Sequence, residues 1–303
     1  MYFFGFSEIK TEHVVAQEFY NEEENDDGDE DNDECEAVLG TIVTSKEDSE
    51  AQIESELSND LSASQKEYTK PVKVMINDVL TGIYIDNRYF GEDDVLPEIP
   101  ESAFISDISL IYQKDLGLLT GCEIVSGVMV LNYYLDRNID AEKAMQHLQM
   151  GKAPYWTSKG KFGGDPEVCF VGNPFAENGY GCYSPALAKM LRGVLDEFHN
   201  TLKVNNITNC QSEELFYHVS QGKPVIVWAT GNLMTPKKNI VYTGLETGRS
   251  ITWLAGEHCM VLVGYDEKNV YLNCPLYGQV AYEKDKFILR WEQMGRQAII
   301  IGE

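Results

Sequence analysis

The chain has 303 residues and a mass of 34.2 kDa, with 24 Lys and Arg against 49 Asp and Glu, a net charge of −25. That balance excludes general nucleic-acid binding and attachment to anionic membranes, both of which need basic surface. Hydrophobic residues make up 43% and aromatics 11%, enough for a real core. No run of about 18 apolar residues suits a membrane-spanning helix, so no membrane insertion is expected.

The charge is unevenly spread. Residues 21–60 carry 17 acidic side chains against Lys46 alone, a local net of −16. Glu22–Glu36 is almost continuous acid with a single glycine and no aromatic. Its self-repulsion and lack of apolar groups predict an acidic, largely disordered segment over residues 1–70. The plain reading is a solubilising tail; the sharper one is a segment that covers a basic partner or the protein's own cleft. Met1–Phe6 is apolar but has neither a basic flank nor a longer apolar stretch. No secretory signal peptide is visible as written, and a cytoplasmic location is expected. Seven cysteines at 35, 122, 169, 182, 210, 259 and 274 are an odd number and form no C-x-x-C pair. They support neither a disulfide framework nor a structural zinc site, and no metal or cofactor is expected.

From Val72 the pattern changes. Val72, Val74 and Ile76 alternate with Lys73 and Met75, and Ile83–Ile85 follow across Asn77–Gly82, which predicts a small hairpin. Pro97 and Pro100 punctuate a linker, so residues 71–100 form hairpin and linker and 101–303 the main domain. There, Ile124, Val125, Val128, Met129 and Leu131 mark a helix from Cys122 to about Leu135. Asp140 caps a second helix that Gly151 ends. Ser184 with Pro185 starts a third, to Phe198. Ser212 with Glu213 and Glu214 opens a fourth, which stops at Gly222. Strands follow at Val225–Thr230, Ile251–Leu254, Cys259–Tyr265, Val270–Cys274 and Ala298–Ile301, with Asp266–Asn269 turning one hairpin. Helices first and an antiparallel sheet second give an α+β order.

Cys122 follows Gly121 and opens an apolar helix. A thiol there meets the positive end of the helix dipole and free backbone N–H groups, which favour the nucleophilic thiolate. His258 lies 136 residues later, in Gly256-Glu257-His258-Cys259 at the start of a strand. A Cys on an early helix and a His on a later strand at this separation is the order of papain-type hydrolases. The imidazole takes the thiol proton, sulfur attacks a carbonyl carbon, and the imidazolium protonates the leaving group. Asn273, 15 residues after His258, could accept a hydrogen bond from the imidazole N–H through its side-chain oxygen, whereas Cys274 beside it could do so only feebly. Gln113, nine residues before Cys122, could add an amide N–H to an oxyanion hole beside the backbone N–H of Cys122. The other histidines have no ligand partner at metal spacing, and the glycines form no nucleotide-binding pattern.

Thr120-Gly121-Cys122-Glu123-Ile124-Val125-Ser126, followed by Met129–Tyr134, resembles the nucleophile helix of bacterial peptidases similar to the bacteriocin-leader-processing cysteine peptidases. Further matches keep the family's order. They are Asp165-Pro166, Phe170–Pro174, Gly179-Tyr180-Gly181 with Tyr183, Gly222–Val225, Gly256–His258, Val263–Asp266 and Trp291–Ala298. Together they cover roughly residues 104–301. The resemblance implies a papain-like α+β fold, N-terminal helices packed on a C-terminal antiparallel sheet, and a peptide or protein substrate. It carries the nucleophile to Cys122, the base to His258 and the oxyanion amide to Gln113.

One departure matters. Where the family usually reads Asn-Asp-Pro, this chain has Asn273-Cys274-Pro275. Either Asn273 turns inward through a bulge, or the enzyme runs as a Cys–His dyad, or activity is lost. Three functions follow: a thiol hydrolase of peptide bonds, a binding module that keeps the cleft without the chemistry, and an acyl or amide transferase on the same pair.

Overall fold

The computed structural model describes residues 97–302, together with the backbone of three strands before them. These strands are β1 (Val74–Ile76), β2 (Val79–Ile85) and β3 (Arg88–Gly91), and they form an antiparallel sheet in that order. The predicted hairpin across Asn77–Gly82 is thus replaced by three strands, because Ile76 pairs with Val79 and β2 runs on through Gly82. The acidic segment lies outside the described residues. Among the described residues no helix is long and apolar enough to cross a membrane.

Helix α1 (Cys122–Leu135) forms as its periodicity requires. Ile124, Val125, Val128, Met129, Val130 and Leu131 are all fully buried, so it is a core helix rather than a surface one. Gly127 allows a close approach: a Cβ there would stand 3.1 Å from Leu191 and 3.2 Å from Met190. Those two residues belong to α3 (Ser184–Glu197).

Asp140 caps α2 (Ala141–Met145) as expected, its Oδ1 accepting from the N–H groups of Glu142 and Lys143 at 2.8 and 3.4 Å. The helix is shorter than predicted, since Met150–Gly151 is a strand, β5, paired with β8 (Phe170–Val171). Replacing Asp140 by Ala should cost about 1 kcal/mol, the usual worth of an N-cap, read as a lowered denaturant midpoint at unchanged slope.

The main sheet runs β15 (Gly278–Glu283), β14 (Asn269–Cys274), β13 (Glu257–Tyr265), β10 (Val225–Thr230), β16 (Ala298–Gly302), β9 (Lys203–Asn206), and β4 (Ala103–Phe104) pairs with β13. Every pairing in it is antiparallel. Beside α1, helices α4 (Ser212–Ser220) and α5 (Lys284–Gln293) pack on its strands. This is an α+β fold. Every residue of β10 is buried, as a central strand between covered faces should be. Trp228 and Trp291 are fully buried, and their indole N–H groups reach the carbonyls of Cys182 and Gln297 at 3.0 Å. Their large apolar area is gained without stranding a donor.

A smaller sheet joins β6 (Tyr155–Thr157), β7 (Gly160–Gly163), β11 (Lys237–Gly244) and β12 (Ser250–Ala255). Arg249, at its β11–β12 turn, grips the fully buried Asp165 with two hydrogen bonds of 2.6 Å, and Thr247 adds a third. Burial pushes the Asp165 carboxyl upward, but those bonds win and hold it below its ordinary range.

Candidate active site

Two elements meet at Cys122: the start of α1 and the start of β13. The sheet register explains the meeting. Trp228 of β10 stands opposite Cys259 of β13, yet the Trp228 N–H bonds to Gln297 O on the far side. Trp228 and Cys259 are therefore a pair that exchanges no hydrogen bonds, and Cys259 turns its N–H and C=O away from β10. Helix α1 satisfies both. The Cys259 N–H donates to Cys122 Sγ at 3.4 Å, and Ser126, one turn later, donates to Cys259 O at 3.2 Å. The peptide unit that links His258 to Cys259 thus carries the N–H resting on the Cys122 sulfur.

The same register decides what faces His258. Asn273 pairs with Val261, so the next residue, Cys274, falls opposite Met260, on the His258 face by period two. Accordingly His258 Nε2 lies 3.1 Å from Cys274 Sγ. Asn273 takes the other face. Its Nδ2 donates to Ile108 O at 3.2 Å, and its Oδ1 accepts from Gln279 at 3.1 Å. The structure therefore sets His258 beside Cys274, rests the Cys259 N–H on Cys122 Sγ, and turns Asn273 away from the imidazole. No bulge intervenes there; the register shift in β13 falls further on, between Leu262 and Gly264.

Gln113 is 2% exposed, and its backbone N–H is tied to Pro275 O at 3.0 Å, just past Cys274. One hydrogen of its side-chain amide goes to Leu119 O at 2.8 Å, and Oε1 is buried with no hydrogen-bond partner. The second amide hydrogen has no acceptor among the described residues. Helix α1 has no side-chain cap at Gly121.

The surroundings of the sulfur differ from the sequence expectation. A helix start should favour thiolate, but the Cys122 thiol is pushed well above its ordinary value, first by burial and then by Glu123 and Glu257. The thiol donates to Glu123 Oε2 at 3.4 Å. Glu123 is completely buried; its other oxygen accepts the Cys182 N–H at 2.6 Å, and burial lifts its carboxyl to about 7. Burial and then Glu123 raise Glu257 as well. Burial also lowers His258 to about 4. Burial is the first cause of a neutral thiol and the cause of a neutral imidazole, and at the sulfur Glu123 and Glu257 add to it. One sulfur and one carboxylate oxygen each from Glu123 and Glu257 lie within 4.8 Å of one another. They are the side chains here able to hold a cation.

Glu123 and Glu257 were not singled out in the sequence. Glu123 reads as an acid complementing a helix start, and Glu257 as the residue before a histidine. The signal that could have found them is period two: Glu257 must share a face with Cys259, the face a core helix covers.

The fold is that of C39-like peptidases. It belongs to the family described as "Peptidase_C39 like family", whose model matches residues 105–299. "Uncharacterized protein YvpB" of Bacillus subtilis (strain 168) is 33% identical over 207 residues, 67% of this chain and 78% of that protein. A solved structure of a provisionally assigned C39-like peptidase from Bacillus anthracis is 28% identical, with a TM-score of 0.57, and the match covers 67% of this chain and 98% of that one.

Proposed function

We propose that the chain is a cysteine peptidase that cleaves a peptide bond in a peptide or protein substrate through an acyl-enzyme on Cys122. The observation that carries the reading is the Cys122 sulfur, at the start of α1, held by the N–H of the His258–Cys259 peptide unit. His258 Nε2 is engaged by Cys274, which leaves Nδ1 to take the thiol proton. Because both partners rest neutral, the proton leaves sulfur as the S–C bond forms to the scissile carbonyl. The Cys122 backbone N–H and the free Gln113 amide hydrogen receive the oxyanion. The imidazolium then protonates the departing amine, and water, activated by the same imidazole, releases the acid. The likeness of the Thr120–Tyr134 segment to leader-processing enzymes is the ground for a peptide as substrate.

A second reading has its own observation. The thiol of Cys274 stands where the family places an acid, and a thiol orients an imidazole feebly. A peptide-binding module with impaired chemistry, or a transferase in which an amine replaces water, would use the same cleft. A thiol-directed acylating probe with peptide mapping tests the first step. At limiting dose Cys122 should carry the label, Cys122→Ala should lose it, and a reporter peptide should then be turned over by the wild type alone. Equal labelling of Cys169, Cys182 or Cys210 would remove Cys122 from the nucleophile's role. Labelling without turnover would favour the binding module.

A further inference from the structure

We propose that Cys122, Glu123 and Glu257 form a site for a divalent zinc ion that withdraws the nucleophile from reaction. Their ligating atoms lie within 4.8 Å of one another. A tetrahedral zinc with bonds of about 2.0–2.3 Å needs its ligands a little closer, a contraction of about 1 Å that side-chain rotation supplies.

Proximity alone would be an acidic cluster, and a separate observation points to an occupant. Glu257 Oε1 is buried without a hydrogen-bond partner, a costly state for a polar atom. None of the ion pairs among the described residues includes Glu123 or Glu257. Three acidic groups thus converge without a cationic side chain between them. Glu123 is already fixed from behind, since its Oε1 accepts the Cys182 N–H at 2.6 Å while Oε2 faces the sulfur. That is the outer support which orients a metal-binding carboxylate.

Gly181 leaves the space. A Cβ there would collide with Glu123 Oε1 and stand 3.2 Å from Glu257 Oε2, and its φ of +139° is one that side-chain-bearing residues rarely adopt.

The donor set selects the ion. One thiolate and two carboxylates suit zinc, whereas magnesium and calcium prefer oxygen alone. Three protein ligands leave one position for water. Binding drives the Cys122 proton and any carboxyl proton into solvent, so affinity rises with pH. With its lone pair on zinc, Cys122 Sγ cannot attack a carbonyl carbon. Occupancy is therefore inhibitory and reversible by chelation.

The test uses the full chain, iodoacetamide and peptide mapping of Cys122 at mildly alkaline pH. Micromolar Zn²⁺ should slow alkylation of Cys122 at least ~10-fold, and Mg²⁺ should leave it unchanged. Glu257→Gln should lose most of that protection, in keeping with the ~10–100-fold cost of disturbing a metal's shell. As a second measurement, Zn²⁺ should raise the thermal midpoint of the wild type more than that of Cys122→Ser, which decides the matter if Glu257→Gln fails to fold. Equal protection in wild type and Glu257→Gln would place zinc on Cys122 without the carboxylates and overturn the proposal. So would absence of protection, or equal thermal shifts in wild type and Cys122→Ser. None of these readouts needs turnover, so failure here leaves the peptidase reading standing, and the converse holds.

Discussion

Replacing Cys274 by Asp should increase turnover of a reporter peptide at least ~10-fold, a modest share of the ~10⁴ lost when a triad's orienting carboxylate is removed. The argument rests on the tautomer of His258. For Nδ1 to accept the Cys122 proton, Nε2 must carry its own hydrogen and donate it toward residue 274. The acceptor there is a thiol sulfur at 3.1 Å, which also receives the Tyr277 N–H at 3.4 Å. Sulfur is a weak acceptor. A carboxylate on the same Cβ reaches farther, keeps the Tyr277 N–H as a donor, and holds the ring in the required tautomer.

It also pairs with the imidazolium that forms in the reaction. Burial holds His258 at about 4 in the wild type, and an adjacent carboxylate should raise it toward its ordinary value. The acid limb of the rate profile should move upward in pH accordingly. Asn273→Ala is the paired control. Asn273 serves Ile108 O and Gln279 rather than the imidazole, so its loss should lower stability by about 1 kcal/mol and leave the pH profile unmoved. If Asn273→Ala abolished turnover and Cys274→Asp changed nothing, the orienting role assigned to position 274 would be wrong.

The contrast between those neighbours was legible in part. Period-two alternation in Val270–Cys274 already separated Asn273 from Cys274, but only the register of β14 on β13 tells which face His258 occupies. Registers join residues far apart in the chain, and no local pattern encodes them. Helix α1 could be read because its apolar residues are dense and regular. Helix α5 could not, since Lys284–Gln293 buries only Phe287 and Trp291, a stripe too narrow to stand out against its charges. Strand β11 was hidden likewise, because Lys237–Val241 is largely exposed and carries little apolar pattern. The pair Glu123–Glu257 was hidden for the reason that hid the register. Two carboxyls 134 residues apart each look solvated until the fold buries Glu123 fully and sets Glu257 beside the same sulfur.

That burial gives Glu123→Gln a double effect. In the native protein the Glu123 carboxyl titrates at about 7, against an ordinary 4.5. Between those values the folded state keeps a proton that the unfolded chain has released. The stability this confers is complete below pH 4.5 and is lost as pH rises through 7. A shift of this size corresponds to on the order of 3 kcal/mol. Gln is neutral throughout and keeps an oxygen for the Cys182 N–H. The stability of the wild type relative to Glu123→Gln should therefore fall by that order between pH 4.5 and 8, measured by denaturant unfolding at each pH. His258 has the opposite sign: burial depresses its native value, so its contribution is lost as pH falls. It is present in both proteins, however, and drops out of the comparison. The second effect concerns Cys122. Glu123 is, after burial, the largest cause of its raised thiol, and the Gln amide brings an N–H donor toward the sulfur in place of a negative charge. Alkylation of Cys122 near pH 7.5 should quicken by about 10-fold for each unit by which its pKa falls. Slower alkylation would show instead that Glu123 draws the proton from sulfur.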